Sequence, residues 1–282
     1  MYKFFQLPVI GSVFILSVGL IGHSQLTAAE EGGLVGGNPN PAKQRSSMPV
    51  LPPPFADLLV RAHTTTAQFS TELANFICTE KIERYKGRIS DDKRRPVDIV
   101  TSVVSYENGI EHYTDIHQDS KPRRSIADIA GAWSEGEYGT LLIQARNILN
   151  THDVRLRGIG LLDGKPAALY IYDIDESESP WDLVVNGRHY ATAFHGEIWV
   201  SRENSQILRV TRTSLRIPPA TGITQVCWSA NYDFTDLNGK KVLLPKTAEY
   251  SVAYVGSDRL EWNVMTFSNY KRYGSDVSIH YQ

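Results

Sequence analysis

Eight histidines, two cysteines and a few acidic clusters are the residues of this 282-residue sequence that could do chemistry. The histidines come nearest to a metal motif at His189 and His195. Both fall on one face of an extended segment, but their spacing along a strand separates them by roughly 20 Å, too far for one ion. His112 and His117 differ by an odd number and face opposite ways. There is no His-Glu-x-x-His and no Cys-x-x-Cys. Asp173-x-Asp175-x-Ser177 opens like a calcium loop but lacks the glycine and the bidentate glutamate in register, so it reads as an exposed acidic turn. No Gly-x-Ser-x-Gly elbow occurs, and Gly158-Ile-Gly160 lacks the later glycine of a dinucleotide loop. The residues therefore call for no cofactor and no metal, and they point to a binding protein rather than an enzyme. Distant carboxylates brought together by the fold are the one catalytic route left open.

Cys78 and Cys227 are the only cysteines. A disulfide between them is expected if the chain is exported into an oxidising compartment. Closing so long a loop would be worth roughly 4 to 5 kcal/mol in the chain-entropy model. The alternative is two separately buried thiols.

The elements that must position these residues begin after a targeting segment. Lys3 precedes an apolar run, Val9 to Ile21, that is short for a membrane span, and Thr27-Ala28-Ala29 offers small residues for cleavage. Residues 1–29 are read as a signal peptide and the mature chain as starting near Glu30, outside the cytoplasm. An uncleaved inner-membrane anchor is the alternative. Residues 30–54 are rich in Gly and Pro and are expected to be a disordered linker. Residues 55–282 are expected to form a single domain. At 41% hydrophobic the chain can bury a full core, and a formal charge of −2 gives no basis for binding nucleic acid or anionic membrane through net charge.

Within that domain, Leu58, Ala62, Phe69, Leu73 and Phe76 fall on one helical stripe, predicting a helix over 55–76. A first strand follows over Cys78 to Tyr85, then a charged solvated loop from Lys86 to Pro96 that contains Lys93-Arg94-Arg95. Asn108-Gly109, Asp163-Gly164, Asn186-Gly187 and Asn238-Gly239 each separate two β-like runs, the signature of type I′ hairpins. Ser134 and Glu137 have capping-box spacing ahead of Tyr138, Leu141, Leu142, Ala145, Ile148 and Leu149, predicting a second helix. The longest hairpin runs from Tyr190 to Thr213. A turn at Arg202-Glu203-Asn204, with Asn204 left-handed, would set Glu197 opposite Arg209, Ile198 opposite Leu208 and Trp199 opposite Ile207. A turn extended to Ser205 would shift that register by one. The fold class is α+β, mainly β: a large curled antiparallel sheet, an incomplete barrel, with two helices over its concave face.

Three stretches resemble a recurrent pattern in exported proteins of the Acidobacteria type. They are Phe76-Ile-Cys78-Thr-Glu-Lys-Ile-Glu-Arg-Tyr85, Ser134-Glu-Gly-Glu137-Tyr-Gly, and Phe194-His-Gly-Glu-Ile-Trp199-Val with Ile207-Leu-Arg209. The tight turn in that family often carries Gly where this chain has Ser205. The element order is in turn similar to the half-barrel of LolA-like periplasmic lipoprotein carriers and of RseB-like sigma-regulatory proteins. The resemblance covers roughly Phe55 to Gln282 and carries no catalytic residues. It implies a periplasmic or secreted protein whose partner is a lipid or lipidated protein, or else a periplasmic protein docked by an interaction module. The repeated apolar strand face of Tyr170, Tyr172, Phe194, Ile198, Val200, Leu208 and Val210 is the expected ligand-binding surface.

Overall fold

A computed structural model of the chain describes residues 53–73, 76–107, 110–237 and 239–272. The signal segment, most of the linker, the Asn108-Gly109 turn and Asn238 lie outside the described residues. Helix α1 (Pro53–Leu73) starts two residues before the expected boundary. Proline suits a first helical turn, where its missing N–H has no partner to lose. The helix ends before Phe76, which instead opens β1 (Phe76–Arg88).

The strands that follow are β2 (Asp91–Glu107), β3 (Ile110–Gln118) and the two-residue β4 (Lys121–Pro122). After α2 (Thr140–Thr151) come β5 (Arg155–Leu162), β6 (Lys165–Ile174), β7 (Asp182–Val185), β8 (Arg188–Ala191) and β9 (Ala193–Ser201). The last four are β10 (Ile207–Arg216), β11 (Ile223–Leu237), β12 (Lys240–Tyr254) and β13 (Arg259–Arg272). Eleven strands form one antiparallel sheet in the order β4-β3-β2-β1-β13-β12-β11-β10-β9-β6-β5, while β7 and β8 pair apart. The sheet curls without closing, and the two helices cover its concave side. The first and the last described strands, β1 and β13, are neighbours inside the sheet, fourth and fifth of the eleven, with Phe76 opposite Arg272.

The two free edges belong to β4 and β5, which are consecutive main-sheet strands in the chain. The connection between them, residues 123–154, must therefore travel from one rim of the sheet to the other. Its helix is α2, whose Leu141, Leu142, Ala145 and Ile148 are buried. Coverage of the concavity is thus built into the topology. Helix α1 is tied down at one end of the β9–β10 hairpin: Arg61 Nε donates to Ser205 Oγ at 3.1 Å, and Thr65 Oγ1 donates to the Ser205 carbonyl at 3.0 Å.

Four local expectations need correction. Lys86 to Pro96 is no loop. β1 and β2 continue through it, with Lys86 opposite Arg95, and turn at Ile89-Ser90, where Asp258 accepts from the Ser90 amide at 3.1 Å. The charged side chains stand on strand surfaces, and Arg94 lays its guanidinium over the Trp262 ring. The Tyr190 to Val200 run is broken at Thr192, whose amide donates to Trp181 O at 2.9 Å, so Tyr190 belongs to the small β7–β8 sheet.

The register of the long hairpin also differs. Ser205, not Asn204, takes the left-handed conformation, at φ 61°. Ser201 Oγ accepts the amides of Glu203 and Asn204, and the four-residue turn sets Ile207 opposite Val200. A bulge at Leu208 adds a further step, so that Arg209 faces Trp199, Val210 faces Ile198 and Thr211 faces Glu197. Finally, the Ser134–Glu137 pair does not cap α2. The two side chains bond each other, and the N-cap is Gly139. The type I′ turns hold as read: Asp163 and Gly164 sit at φ 50° and 80°, and Asn186 and Gly187 at 52° and 75°.

Candidate functional site

Register places one transverse line of residues across the concave face. Reading strand to strand, direct partners run Tyr172–Gly196–Arg212–Trp228 and on through Tyr250–Asn263–Arg84–Asp98. Direct partners share a face, so this line carries two arginines into the interior of the protein. The rim-to-rim segment follows the same line. Arg84 Nη1 donates to Ala130 O at 2.8 Å, and Asn263 Nδ2 donates to Ala132 O at 2.9 Å. Gly136 rests on the Trp228 ring, where a side chain would press into the indole. Gln144 of α2 reaches down to Arg212, accepting from Nη1 at 2.6 Å.

Arg84 is fully engaged. Its Nε and Nη2 form a fork on the two carboxylate oxygens of Asp98, at 2.6 and 2.5 Å. Burial pushes the Asp98 carboxyl up, but Arg84 and Gln118 more than reverse this and hold it below its usual range. Arg212 is not engaged in that way. It is wholly buried, its guanidinium lies 4.7 Å from the Phe194 ring centroid and 5.8 Å from that of Trp228, and its Nε and Nη2 have no partner. No carboxylate pairs with it among the described residues. Burial lowers its pKa from the ordinary arginine value, while the guanidinium still carries its charge at neutral pH. The Tyr172 hydroxyl lies beside the guanidinium and makes a weak polar contact with it, short of good hydrogen-bond geometry, and the Trp228 indole N–H stands in the same relation to Glu137, while the Tyr232 hydroxyl has no partner. Gly196 makes this packing possible, because any Cβ there would fall on the Tyr172 ring.

A second polar group lies at the start of α2. Glu111 of β3 supplies the cap that the helix lacks. Its Oε1 accepts the amides of Gly139 at 2.9 Å and Thr140 at 3.1 Å, and its Oε2 accepts from Tyr113 at 2.7 Å. Nearby, burial pushes the Glu137 carboxyl up to about 8. Its bond from Ser134 works against that rise and the charge of Glu111 adds to it. Glu137 Oε2 closes no hydrogen bond of good geometry. Glu80 is also buried, bonded by Ser102 at 3.2 Å, and burial together with Glu137 and Glu111 raises it well above the carboxylate range. Tyr232 stands between the two polar groups, sensing Glu111 and Glu137 on one side and Arg212 on the other.

Of the expected ligand surface, Tyr170, Tyr172, Phe194, Ile198, Val200 and Val210 share the main core with no exposure. Leu208 does not join them. The bulge turns it to the outer face, where it packs with Leu162, Ala167 and Trp199. The Cys78–Cys227 disulfide is absent and both thiols are free. β1 and β11 are three strand spacings apart, roughly 14 Å, twice the reach of a disulfide. Cys78 also lies on the core face, whereas Cys227 sits between the inward Val226 and Trp228 and faces the other way. Asp173 and Asp175 are engaged by Arg155 and Arg216, at 2.6 and 2.9 Å. His195 bonds Asp173 at 2.7 Å. Among the described residues no group of three or more His, Cys, Asp or Glu is placed to hold a metal.

Sequence reading missed Arg212, Gly196 and Glu80, and a signal for them was present. Each occupies the inward phase of a strand whose other inward positions are mostly apolar: Val210 beside Arg212, Phe194 and Ile198 beside Gly196, Cys78 and Ile82 beside Glu80. A charge in that phase is a buried charge.

Fold and site together define an open antiparallel half-barrel whose concavity is bridged rim to rim by its own chain and lined by a polar row. No family model matches the chain, and no curated protein does. Among solved structures it is similar to a DUF1329 family protein from Desulfovibrio piger, at 13% identity and TM-score 0.38, covering 79% of this chain and 93% of that one. A domain described as outer membrane lipoprotein-sorting, from Vibrio parahaemolyticus, matches at 7% identity and TM-score 0.39, covering 77% and 93%. The MucA/MucB complex of Pseudomonas aeruginosa matches at 10% identity and TM-score 0.22, covering 78% and 99%. Scores and identities this low transfer nothing from those proteins to this one.

Proposed function

We propose that this chain is an exported, non-enzymatic binding protein for an apolar ligand, an acyl chain or a lipidated protein, held between the rim-to-rim segment and the curled sheet. The observation that carries the reading is the bridge itself. A helix anchored at both rims covers an apolar concave face and rests on it partly through polar contacts, of which Gln144–Arg212 is one. The six inward ligand-surface residues have no exposure, so entry requires α2 to lift and the ligand to replace its buried face. Burying about ten methylenes gains about 8 kcal/mol before ordering costs, a gain of the same order as the burial of the α2 face that it replaces.

The test uses the folded full chain with a neutral apolar dye that fluoresces on leaving water, together with organic-solvent extraction and mass measurement of what is released. Dye uptake, displaceable by a long-chain amphiphile, is the expected result. Absence of uptake and an extract free of lipid would overturn the reading.

A second reading, a protein-interaction module, is favoured by one specific feature. β5 is a free edge strand on which Ile159 and Leu161 are 57% and 67% exposed. Exposed apolar side chains on an unpaired edge invite strand addition. If the dye result is negative, this edge becomes the surface to follow.

A further inference from the structure

We infer that the unfilled fork of Arg212 is the seat for the carboxylate of an acyl-chain ligand, so that the bound molecule is a fatty acid rather than an uncharged lipid. The inference rests on the apolar-ligand reading and names the head group that reading leaves open.

Arg212 presents Nε and Nη2 together, the two N–H groups that lie side by side and match the two oxygens of a carboxylate. The same protein shows what that edge of a guanidinium binds when a partner is supplied, since Arg84 uses it on Asp98. Beside the fork stand the buried hydroxyls of Tyr172 and Tyr232, neither of which closes a hydrogen bond of good geometry. A hydroxyl can accept one hydrogen bond, but the two parallel N–H groups of the fork are matched by the paired oxygens of a carboxylate. The nearby Glu137 does not fill that place. One oxygen is held by Ser134, the other faces the Trp228 indole, and Glu137 makes no ion pair with Arg212. The third nitrogen of Arg212 is held by Gln144 of α2, so the side chain is already aimed before a ligand arrives.

The surroundings limit the rest of the molecule. Phe194 packs on the guanidinium, and Ile198, Val210 and Ala145 are buried in the same core. A head group with bulky substituents on both sides would have to displace the aromatic walls as well as the helix. An acyl chain that ends at its carboxylate displaces the helix face alone.

The experiment displaces the neutral dye from wild-type protein with dodecanoate and, separately, with dodecanol, at a pH where dodecanoate is ionised. Dodecanoate is expected to compete at least about tenfold better, the return for two charge-assisted hydrogen bonds over one neutral contact. In Arg212→Gln that preference falls to near unity while dye uptake persists. In Arg212→Lys, which keeps the charge and loses the fork, it is intermediate. Melting temperature supplies the control for folding. A purely structural arginine would leave Arg212→Gln less stable, whereas a vacant ligand seat leaves it as stable as wild type or more so. Equal competition by dodecanoate and dodecanol in the wild type would overturn the carboxylate seat and leave the apolar-ligand reading standing. Failure of the folded wild type to take up dye at all would remove both.

Discussion

Arg84 and Arg212 stand on the same transverse line of the sheet, four strand spacings apart, roughly 19 Å, and both are buried. One faces a carboxylate, a backbone carbonyl and a polar neighbour; the other faces rings, hydroxyls and a single glutamine. The difference separates two uses of an interior charge. At Arg84 the charge is neutralised within the fold, and the pair fastens the rim-to-rim segment near Ala130. At Arg212 the charge is left without a counter-ion, an arrangement that costs the folded state several kcal/mol unless something else supplies the partner. The first arginine belongs to the architecture, and the second is where the architecture is incomplete.

The comparison can be broken most severely at Asp98. Asp98→Asn should leave Arg84, like Arg212, without a counter-ion, and because breaking one side of a buried pair strands the other charge, stability should fall by about 3 to 5 kcal/mol. Urea unfolding read by tryptophan fluorescence measures it. An unchanged midpoint would mean that the Arg84 pair holds nothing together.

Glu137 sharpens the contrast through pH. Its carboxyl ionises near 4.5 when unfolded and near 8 when folded. Stability from this group is therefore full below about 4.5 and is lost as pH rises toward 8. The slope is at most about 1.4 kcal/mol per pH unit. Glu137→Gln should flatten that part of the stability profile, and Glu80, raised in the same direction, should account for part of what slope remains. A wild-type profile that is flat or rises across this window would contradict the placement of Glu137 in the interior.

Gly196→Ala tests the packing that keeps the Arg212 site open. The new methyl group meets the Tyr172 ring, so Tyr172 must leave its place, at a cost of about 1 to 3 kcal/mol. Dodecanoate preference should weaken with it.

The smallest change converts one arginine into the other. Gln144→Glu gives Arg212 a carboxylate from α2 and should raise stability by about 1 kcal/mol. The same variant should lose its preference for dodecanoate over dodecanol. Thermal melts and the competition assay read both. Gain of stability with preference retained would separate the carboxylate seat from Arg212.

Much of this was legible in the sequence, and the reasons are local. Asp163-Gly164 and Asn186-Gly187 force type I′ turns wherever they occur, so the hairpins they close could be placed without knowing their neighbours. The stripe from Leu141 to Ile148 marked α2. What escaped depended on contacts between distant parts. The cap of α2 comes from Glu111, some thirty residues away, so the Ser134–Glu137 spacing was read as a capping box when its two side chains serve each other. The register of the long hairpin turned on whether Asn204 or Ser205 became left-handed, and a bulge then moved Leu208 off the inward face. Two cysteines in a chain read as exported suggested a bond that only strand order and strand phase could forbid. The polar row itself is a property of eight strands in register, and no window of sequence contains it.

The adjacency of β1 and β13 inside the sheet bears on how the molecule is made. The strand that joins the two halves of the sheet, β13, is the last described strand to be synthesised. Before β13 is available, β1 to β4 and β5 to β12 are two separate wings, each with an unpaired inner edge and each carrying one of the two arginines. The rim-to-rim segment is the only covalent tether between them. A chain released or cleaved short of Arg259 would therefore lack its midline rather than its margin, and would present two long unsatisfied strands for other chains to pair with. Bringing such distant ends of the chain together is also the slow, entropically costly kind of contact. Collapse that waits for the whole chain suits a sheet whose two wings are joined by its last described strand.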